Sequence, residues 1–585
     1  MQEISLEDLS GFQATGANWQ IVGGVSSRPG GSHDAFETTP GTGVLVNQPG
    51  EGQRSNIVTV MEHGDLDLSV EFMMTPHSNS GIYLMGRYEI QLYDSWGKAR
   101  PSFADCGGVY ERWDDSKPDG EKGYQGYAPR MNAARAPGLW QRLDISFQAP
   151  RFDEAGRKIQ NARLLEVRLN GALIHQNIEL VGPTRGPMIA EEGTKGPLLI
   201  QGDHGPVAFR NIRYQSYSAE QASVSDLSYE VYLKEFVGVP ALSDGDKPAR
   251  TGTTDIFTQN VAGESEDFML VLKGKLTVPR EDTYQLVMNA LGYGKLFVDG
   301  KEVFGMNMWR QRGEMSLAAG AHDFEIHYAK DASWYNNGLS LFIAGTQMRS
   351  HPLHVLSSMP VDEPSNPIYA NVESPRPRIL RSFMDYPTGE ATRRIVHAVN
   401  VGLPHGISYT FDPDQAAFVQ VWKGGFLNTT PMWLDRGDGS SRPAGPVLGL
   451  GDRVGMAALV SQQADWPAQL PASYDFKGYE MDEMGHPIFR YALADAEIRD
   501  RLMSEDQGKV TREVTLPEGL GQTLYFRLGE GTAIADMGDG LYHVDQAYFV
   551  QVTGSGKALV RDLEGGKQLL LAGKGGQVLE YEVIW

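Results

Sequence analysis

The run Asp65-Leu66-Asp67-Leu68-Ser69-Val70-Glu71-Phe72-Met73-Met74 alternates apolar and polar residues with a period of two. Leu66, Leu68, Val70 and Phe72 fall on one face of an extended chain, and Asp65, Asp67, Ser69 and Glu71 on the other. That is the pattern of a half-buried β-strand. After a turn, Asn79-Ser80-Gly81-Ile82-Tyr83-Leu84 opens a second strand. The next run, Arg87-Tyr88-Glu89-Ile90-Gln91-Leu92-Tyr93-Asp94, carries the most information. Tyr88, Ile90 and Leu92 share its apolar face, while Arg87, Glu89, Gln91 and Tyr93 line the other. Polar groups and an aromatic ring on one strand face suit a ligand groove. The same pattern also fits a wet sheet face with an Arg–Glu pair.

Outward from these strands the alternation continues, punctuated by Gly, Pro, Asn and Asp clusters. Asn170-Gly171 and Asp299-Gly300 are hairpin signals. Amphipathic helices are scarce, the best short candidate running from Ala494 to Met503. The chain therefore reads as mostly β. Two joints divide it. One is the polar, Ser-rich stretch Ser216 to Ser228; the other is Pro360 to Pro377, with prolines at 360, 364, 367, 375 and 377. Three domains are expected, over 1–216, 227–350 and 366–585, each rich in β-strands.

At 585 residues the chain is too long for one core. Its net charge of −22 opposes nucleic acid and anionic membranes as partners, because phosphate binding needs clustered Lys and Arg. No apolar run approaches the ~20 residues of a membrane span. A soluble protein handling a neutral ligand fits. Cys106 is the single cysteine, which excludes an intrachain disulfide, a Cys-rich metal knot and a C-x-x-C-H haem site. Gln2 to Gly11 is polar and has neither the charged nor the apolar region of a signal peptide. We expect a periplasmic or secreted protein whose signal peptide was removed, with Met1 a cloning start; the alternative is a cytoplasmic chain.

An ordered series of motifs carries a resemblance. It runs through Asn79-Ser80-Gly81-Ile82-Tyr83, Tyr88-Glu89-Ile90-Gln91, Gly107-Gly108-Val109-Tyr110, Pro129-Arg130-Met131-Asn132, Trp140 and Asn170-Gly171. It closes with Gly196-Pro197-Leu198-Leu199-Ile200-Gln201-Gly202-Asp203-His204-Gly205 and Phe209-Arg210-Asn211-Ile212. Over about residues 8–215 this resembles the 3-keto-disaccharide hydrolase family. The resemblance implies a concanavalin-like jelly roll, similar in fold to family 16 glycoside hydrolases. The E-x-D-x-x-E acid cluster of true family 16 enzymes is absent, so ordinary two-carboxylate hydrolysis is not expected.

The chemistry it implies is different. A ketone at sugar carbon 3 acidifies the proton on carbon 2; a base removes it, and the enolate expels the group on the anomeric carbon. Water can then add back, so lyase and hydrolase outcomes share one intermediate. Such a site needs a base of near-neutral pKa and an electrophile for the enolate, either fixed donors or a divalent metal ion. Glu89 and His204 are the expected catalytic pair and also the candidate metal ligands, although no spacing here is a metal signature in itself. Arg87, Gln91, Tyr110, Asn132 and Arg210 are the expected substrate-binding residues, with Asp94 a weaker candidate. Competing readings make His204 a turn cap and Arg210 a paired surface arginine.

The middle domain, a meander of short strands, resembles a protective-antigen-type β-sandwich. Leu291-Gly292-Tyr293-Gly294 stands where calcium-dependent sugar binders of that type carry an Asp-Asp pair. Trp309, Trp334 and Tyr335 offer either an aromatic platform for sugar or packing. In the last domain, Ile407 to Phe411 and Phe418 to Trp422 read as paired strands. This domain resembles a β-rich module of bacterial multidomain proteins. Arg436-Gly437-Asp438 matches the integrin tripeptide, which chance explains in a long chain. Asp435, Asp438, His486 and His543 could gather a metal, but scattered turns explain them more simply. Two functions follow. One is a 3-keto-glycoside hydrolase or lyase acting on an oligosaccharide or glycoside. The other is a noncatalytic carbohydrate-binding or surface-scaffold protein. The oligomeric state stays open.

Overall fold

The computed structural model describes every residue except 14–15, 31–34, 264–266, 333, 361–365, 435–436, 438 and 507. Asp435 and Asp438 thus lie outside the described residues. Strands make up nearly all the regular structure, and among the described residues no helix is long and apolar enough to cross a membrane. The chain forms two compact units, one from residues 1–215 together with 367–585, the other from 216–366. The first and last segments of the sequence reading therefore share a unit.

The first part of the larger unit is a two-sheet sandwich. Its larger sheet orders the strands Ala172–Leu180, Ala162–Leu169, Gln141–Gln148, Asp65–Met74, Val207–Tyr217, Glu37–Asn47 and Trp19–Ser26. Its smaller sheet orders Ile57–His63, Gly196–Ile200, Asn79–Leu84 and Tyr88–Tyr93. The alternating apolar residues meet between the sheets: Leu66, Leu68, Val70 and Phe72 share a core with Ile82, Leu84, Tyr88, Ile90 and Leu92. Burying each such side chain contributes about 1.5–3 kcal/mol. Asn170 and Gly171 both adopt positive φ (52° and 82°), as a type I′ hairpin requires.

The polar side of Asp65–Met74 is drier than its alternation suggests. Asp65 is buried because the Arg151 guanidinium forks onto it with two 2.7 Å hydrogen bonds. Met73 packs in a second cluster with Trp140 and Val46.

Residues 367–585 add further antiparallel sheets, including the expected pair Ile407–Asp412 and Ala417–Lys423. Ala136 and Leu139 of the sandwich join their core, and Trp96 Nε1 donates to the carbonyl of Trp585 at 3.1 Å. The helix expected from Ala494 to Met503 is instead the strand Ala496–Met503, between Pro487–Leu493 and Lys509–Thr515. Its inward set is Ile498, Asp500 and Leu502. Asp500 disguised the period of two, since it is a buried charge paired with Arg512.

Residues 216–366 build a sheet in the order Arg250–Thr254, Ser223–Leu233, Asp267–Val278, Gly320–Asp331, Asp282–Val298, Leu339–Gly345 and Met348–Pro352. Asp299 and Gly300 turn it with φ of 49° and 71°. In this unit Trp309, Trp334 and Tyr335 form one cluster, their ring centroids 4.8–6.0 Å apart.

Candidate active site

The smaller sheet of the sandwich has two faces fixed by register. Across its hairpin Tyr83 pairs with Glu89, Gly81 with Gln91 and Asn79 with Tyr93. On the other side Leu199 pairs with Tyr83, and Gln201 N donates to Gly81 O at 2.9 Å. Because side chains alternate, Ile82, Tyr88 and Ile90 point into the core while Asn79, Tyr83, Glu89, Gln91 and Gln201 share the opposite face. Backbone bonds then add the segment 107–110 to the edge of Tyr88–Tyr93. Gly107 N donates to Gln91 O at 2.8 Å and Tyr110 N to Glu89 O at 3.2 Å. Tyr83 and Tyr110 therefore flank Glu89 on its two neighbouring strands.

Glu89 is only 2% exposed. Its carboxyl lies over Gly81, so close that a Cβ at 81 would stand 2.2 Å from Oε1. Thr184 braces the strand, its Oγ1 accepting from Glu89 N at 3.0 Å and donating to Arg87 O at 3.1 Å. Burial pushes the Glu89 carboxyl up to about 8, with the nearby Asp203 charge adding to the rise and a hydrogen bond from Tyr83 opposing it. Burial also raises the Tyr83 hydroxyl, reinforced by Glu89. Tyr110 is raised by burial and by the charges of Glu89 and Glu111, while the charge of Arg185 and a hydrogen bond donated by its guanidinium pull it down. The Arg185 guanidinium is held 3.7 Å over the Trp113 ring and 3.6 Å from Glu111 Oε1.

Three buried amide oxygens on this face, Asn79 Oδ1, Gln91 Oε1 and Gln201 Oε1, have no hydrogen-bond partner among the described residues. Buried acceptors are normally satisfied; three on one strand face are what a ligand rich in hydroxyl donors would complete. Tyr83 donates its hydroxyl to Arg185 O at 3.2 Å, so the arrangement offers a carboxyl poised to exchange a proton near pH 8, the Tyr110 hydroxyl as a donor beside it and acceptors for a polyol.

His204 sits where the chain leaves the strand Gly196–Ile200. Its Nδ1 is 2.5 Å from Asp203 Oδ1, and it lines an open cavity of about 680 Å³ with Asp203, His77 and Arg54. Asp203 links the two expected catalytic residues, since its charge also acts on Glu89 and Tyr83.

The structure brings Glu89, Gln91 and Tyr110 together; Arg87, Asn132 and Arg210 do not join them. Arg87 spends its donors on the carbonyls of Glu191, Met85 and Lys195 at 2.6, 2.9 and 3.2 Å, clamping loops. Asn132 is buried as a loop brace, donating to Ser95 O and Lys98 O at 2.7 and 2.9 Å. Arg210 belongs to the larger sheet, where it pairs with Glu71 at 2.7 Å, stacks 4.1 Å over Trp140 and lines a separate cavity of about 410 Å³. Asp94 accepts from His77 N and Trp96 N, fixing a turn.

The metal expectation finds no ligand set. Among the described residues no three His, Cys, Asp or Glu side chains gather to hold an ion. His486 is hydrogen-bonded to Asp482 at 3.2 Å, and His543 stacks on Phe549 in a dry setting that pushes its imidazole down to about 4.

The sequence reading missed Gly81, Tyr83, Thr184, Arg185 and Asp203. Gly81 and Tyr83 were findable, since alternation sets them on the face opposite Ile82, and the hairpin between Leu84 and Tyr88 brings them against Gln91 and Glu89. Thr184 and Arg185 come from a loop with no periodic signal.

Comparison with known proteins agrees with the motif reading over the sandwich. Residues 7–215 match the model of a family described as 3-keto-alpha-glucoside-1,2-lyase-like domain. No curated protein matches the chain. Among solved structures, a candidate glycosyl hydrolase from Parabacteroides distasonis ATCC 8503 is 24% identical over 37% of this chain and 83% of its own, with a TM-score of 0.24. A second from the same organism is 18% identical over 37% of this chain and 100% of its own, at 0.25. A β-glucosidase from Kluyveromyces marxianus is 13% identical over 20% of this chain and 16% of its own, at 0.17.

Proposed function

We propose that this chain is a periplasmic or secreted carbohydrate-active enzyme that cleaves 3-keto-glycosides. Glu89 takes the proton from carbon 2, the enolate forms toward the carbon 3 oxygen, and the bond from carbon 1 to the glycosidic oxygen breaks. Tyr110 donates a hydrogen bond to the developing enolate oxygen, which a preorganised donor stabilises more in the transition state than in the ketone, while Tyr83, whose hydroxyl donates to Arg185 O at 3.2 Å, walls the other side of Glu89. Asn79, Gln91 and Gln201 accept from the sugar hydroxyls. Rehydration of the enone gives net hydrolysis; its release gives a lyase product.

The observation that carries this reading is the place of Glu89: a buried carboxyl, folded over Gly81, flanked by two tyrosines and facing unsatisfied acceptors. A base that is half ionised near pH 8 combines availability with driving force for proton transfer. The middle unit is read as an accessory module, with its aromatic cluster Trp309, Trp334 and Tyr335 as a sugar platform.

The test is turnover of a 3-keto-glucoside with a chromogenic leaving group beside the plain glucoside, each with and without a chelator. Release from the keto sugar only, unaffected by the chelator and abolished in Glu89→Gln, is expected. Binding to both sugars without release returns the chain to the noncatalytic carbohydrate-binding class.

A further inference from the structure

We infer that the cavity beside His204 is the subsite for the leaving group, and that His204 is the acid that protonates the departing glycosidic oxygen. This rests on the reading of Glu89 as the base and extends it to the other half of the elimination.

The cavity, about 680 Å³, is bounded by Pro49, Pro76 and Pro206 and by the polar groups Arg54, His77, Ser78, Asp203 and His204. It opens at the end of the site face. Asn79, the first residue of its strand, follows Ser78 directly, and Gln201 precedes Asp203 by two residues. A sugar held over Glu89 by Gln91 and Gln201 thus has this cavity as the adjoining space for its anomeric substituent. The lining holds no Phe, Tyr or Trp ring among the described residues. Its prolines, the Arg54 guanidinium and the two imidazoles suit a polar aglycone instead.

His204 is built for a directed proton transfer. Asp203 accepts from Nδ1, which fixes the ring and its tautomer. Nε2 has no partner among the described residues, and the side chain is about half exposed at the cavity. Asp203 is thus a positioning residue, in the manner of the carboxylate that orients a catalytic imidazole. The step balances without a co-reactant. The C2–H electron pair becomes the C1=C2 bond, the C1–O pair leaves with the oxygen, Glu89 gains one proton and the imidazolium Nε2 gives one up. The enzyme is reset when Glu89 loses its proton and His204 regains one.

The test is a leaving-group series: 3-keto-glucosides of dinitrophenol, nitrophenol, phenol and a simple alcohol, assayed with the full chain and with His204→Ala. A departing dinitrophenolate needs no acid, whereas an alkoxide does. We expect His204→Ala to cost no more than about 3-fold on the dinitrophenyl substrate and about 10²–10⁴-fold on the alkyl one. Asp203→Asn gives the same trend at smaller amplitude. A uniform loss across the series, or no loss on the alkyl substrate, overturns the inference. Pro49→Trp, which narrows the cavity at its rim, is expected to raise KM for a disaccharide and spare the 3-keto-glucosyl fluoride; equal effects on both place the leaving group elsewhere. Failure of the wild-type chain to release any leaving group refutes the Glu89 reading itself and is distinguishable from all of these.

Discussion

Glu89 and Gly81 form one unit of structure: the carboxyl occupies the space that any side chain at 81 would take, 2.2 Å from a built Cβ. The backbone at Gly81 is ordinary extended strand, so alanine meets no φ penalty there. Gly81→Ala is expected to leave the fold intact and push the carboxyl aside. A displacement on the order of 1 Å can cost about 10²-fold in rate. Thermal unfolding beside kcat/KM separates the two effects; a large loss of Tm with proportionate inactivation would contradict the account.

The pH profile carries the second prediction. As a base Glu89 works deprotonated, so kcat/KM rises with pH through a limb near its value of about 8. Tyr83 lowers that value and Asp203 raises it. Tyr83→Phe is expected to move the limb to higher pH and Asp203→Asn to lower pH. Both are read on the dinitrophenyl substrate, where the leaving group needs no help.

A third prediction concerns stability. The unfolded chain ionises Glu89 from about 4.5 upward, while the folded chain holds its proton to about 8. The stability tied to the protonated form is therefore complete below 4.5 and lost progressively as pH rises to 8. Glu89→Gln carries no such charge. Its advantage over the wild type in unfolding free energy, read from denaturant unfolding at each pH, should grow across that window and level off above it, at an amount on the order of a few kcal/mol. Equal pH dependence in both proteins would place Glu89 in a wet site.

Among the strands of 367–585, Arg512 and Asp500 form a buried pair, with Nη2–Oδ2 at 2.6 Å and side chains 1% and 0% exposed. Tyr491 donates to Asp500 at 2.9 Å. Asp500→Ala strands the guanidinium and should cost about 3–5 kcal/mol by denaturant unfolding, with kcat unchanged at temperatures where the protein stays folded.

The strands were legible because alternation marks them directly: Leu66, Leu68, Val70 and Phe72 reach the core that their spacing implies. Where a buried polar residue breaks the alternation, the reading slips, as at Asp500 in Ala496–Met503. The site was half legible. Glu89, Gln91 and Tyr110 lie on or beside one strand and could be read from its face. Arg210, in a strand of the other sheet, resembled a sugar ligand in its motif, yet sheet assignment depends on long-range pairing that no local pattern encodes. Arg87 and Asn132 show the same limit. Their side chains are polar and near the site in sequence, but their donors are taken by loop carbonyls whose positions the sequence does not give.

The central claim is that Glu89 removes the proton from carbon 2 of a 3-keto sugar. The most direct measurement is the rate of dinitrophenolate release from a dinitrophenyl 3-keto-glucoside deuterated at carbon 2, compared with its protiated twin. The account predicts a primary isotope effect on kcat/KM in the wild type, and no detectable release in Glu89→Gln. Release at equal rates from both substrates, or release that persists in Glu89→Gln, would contradict it.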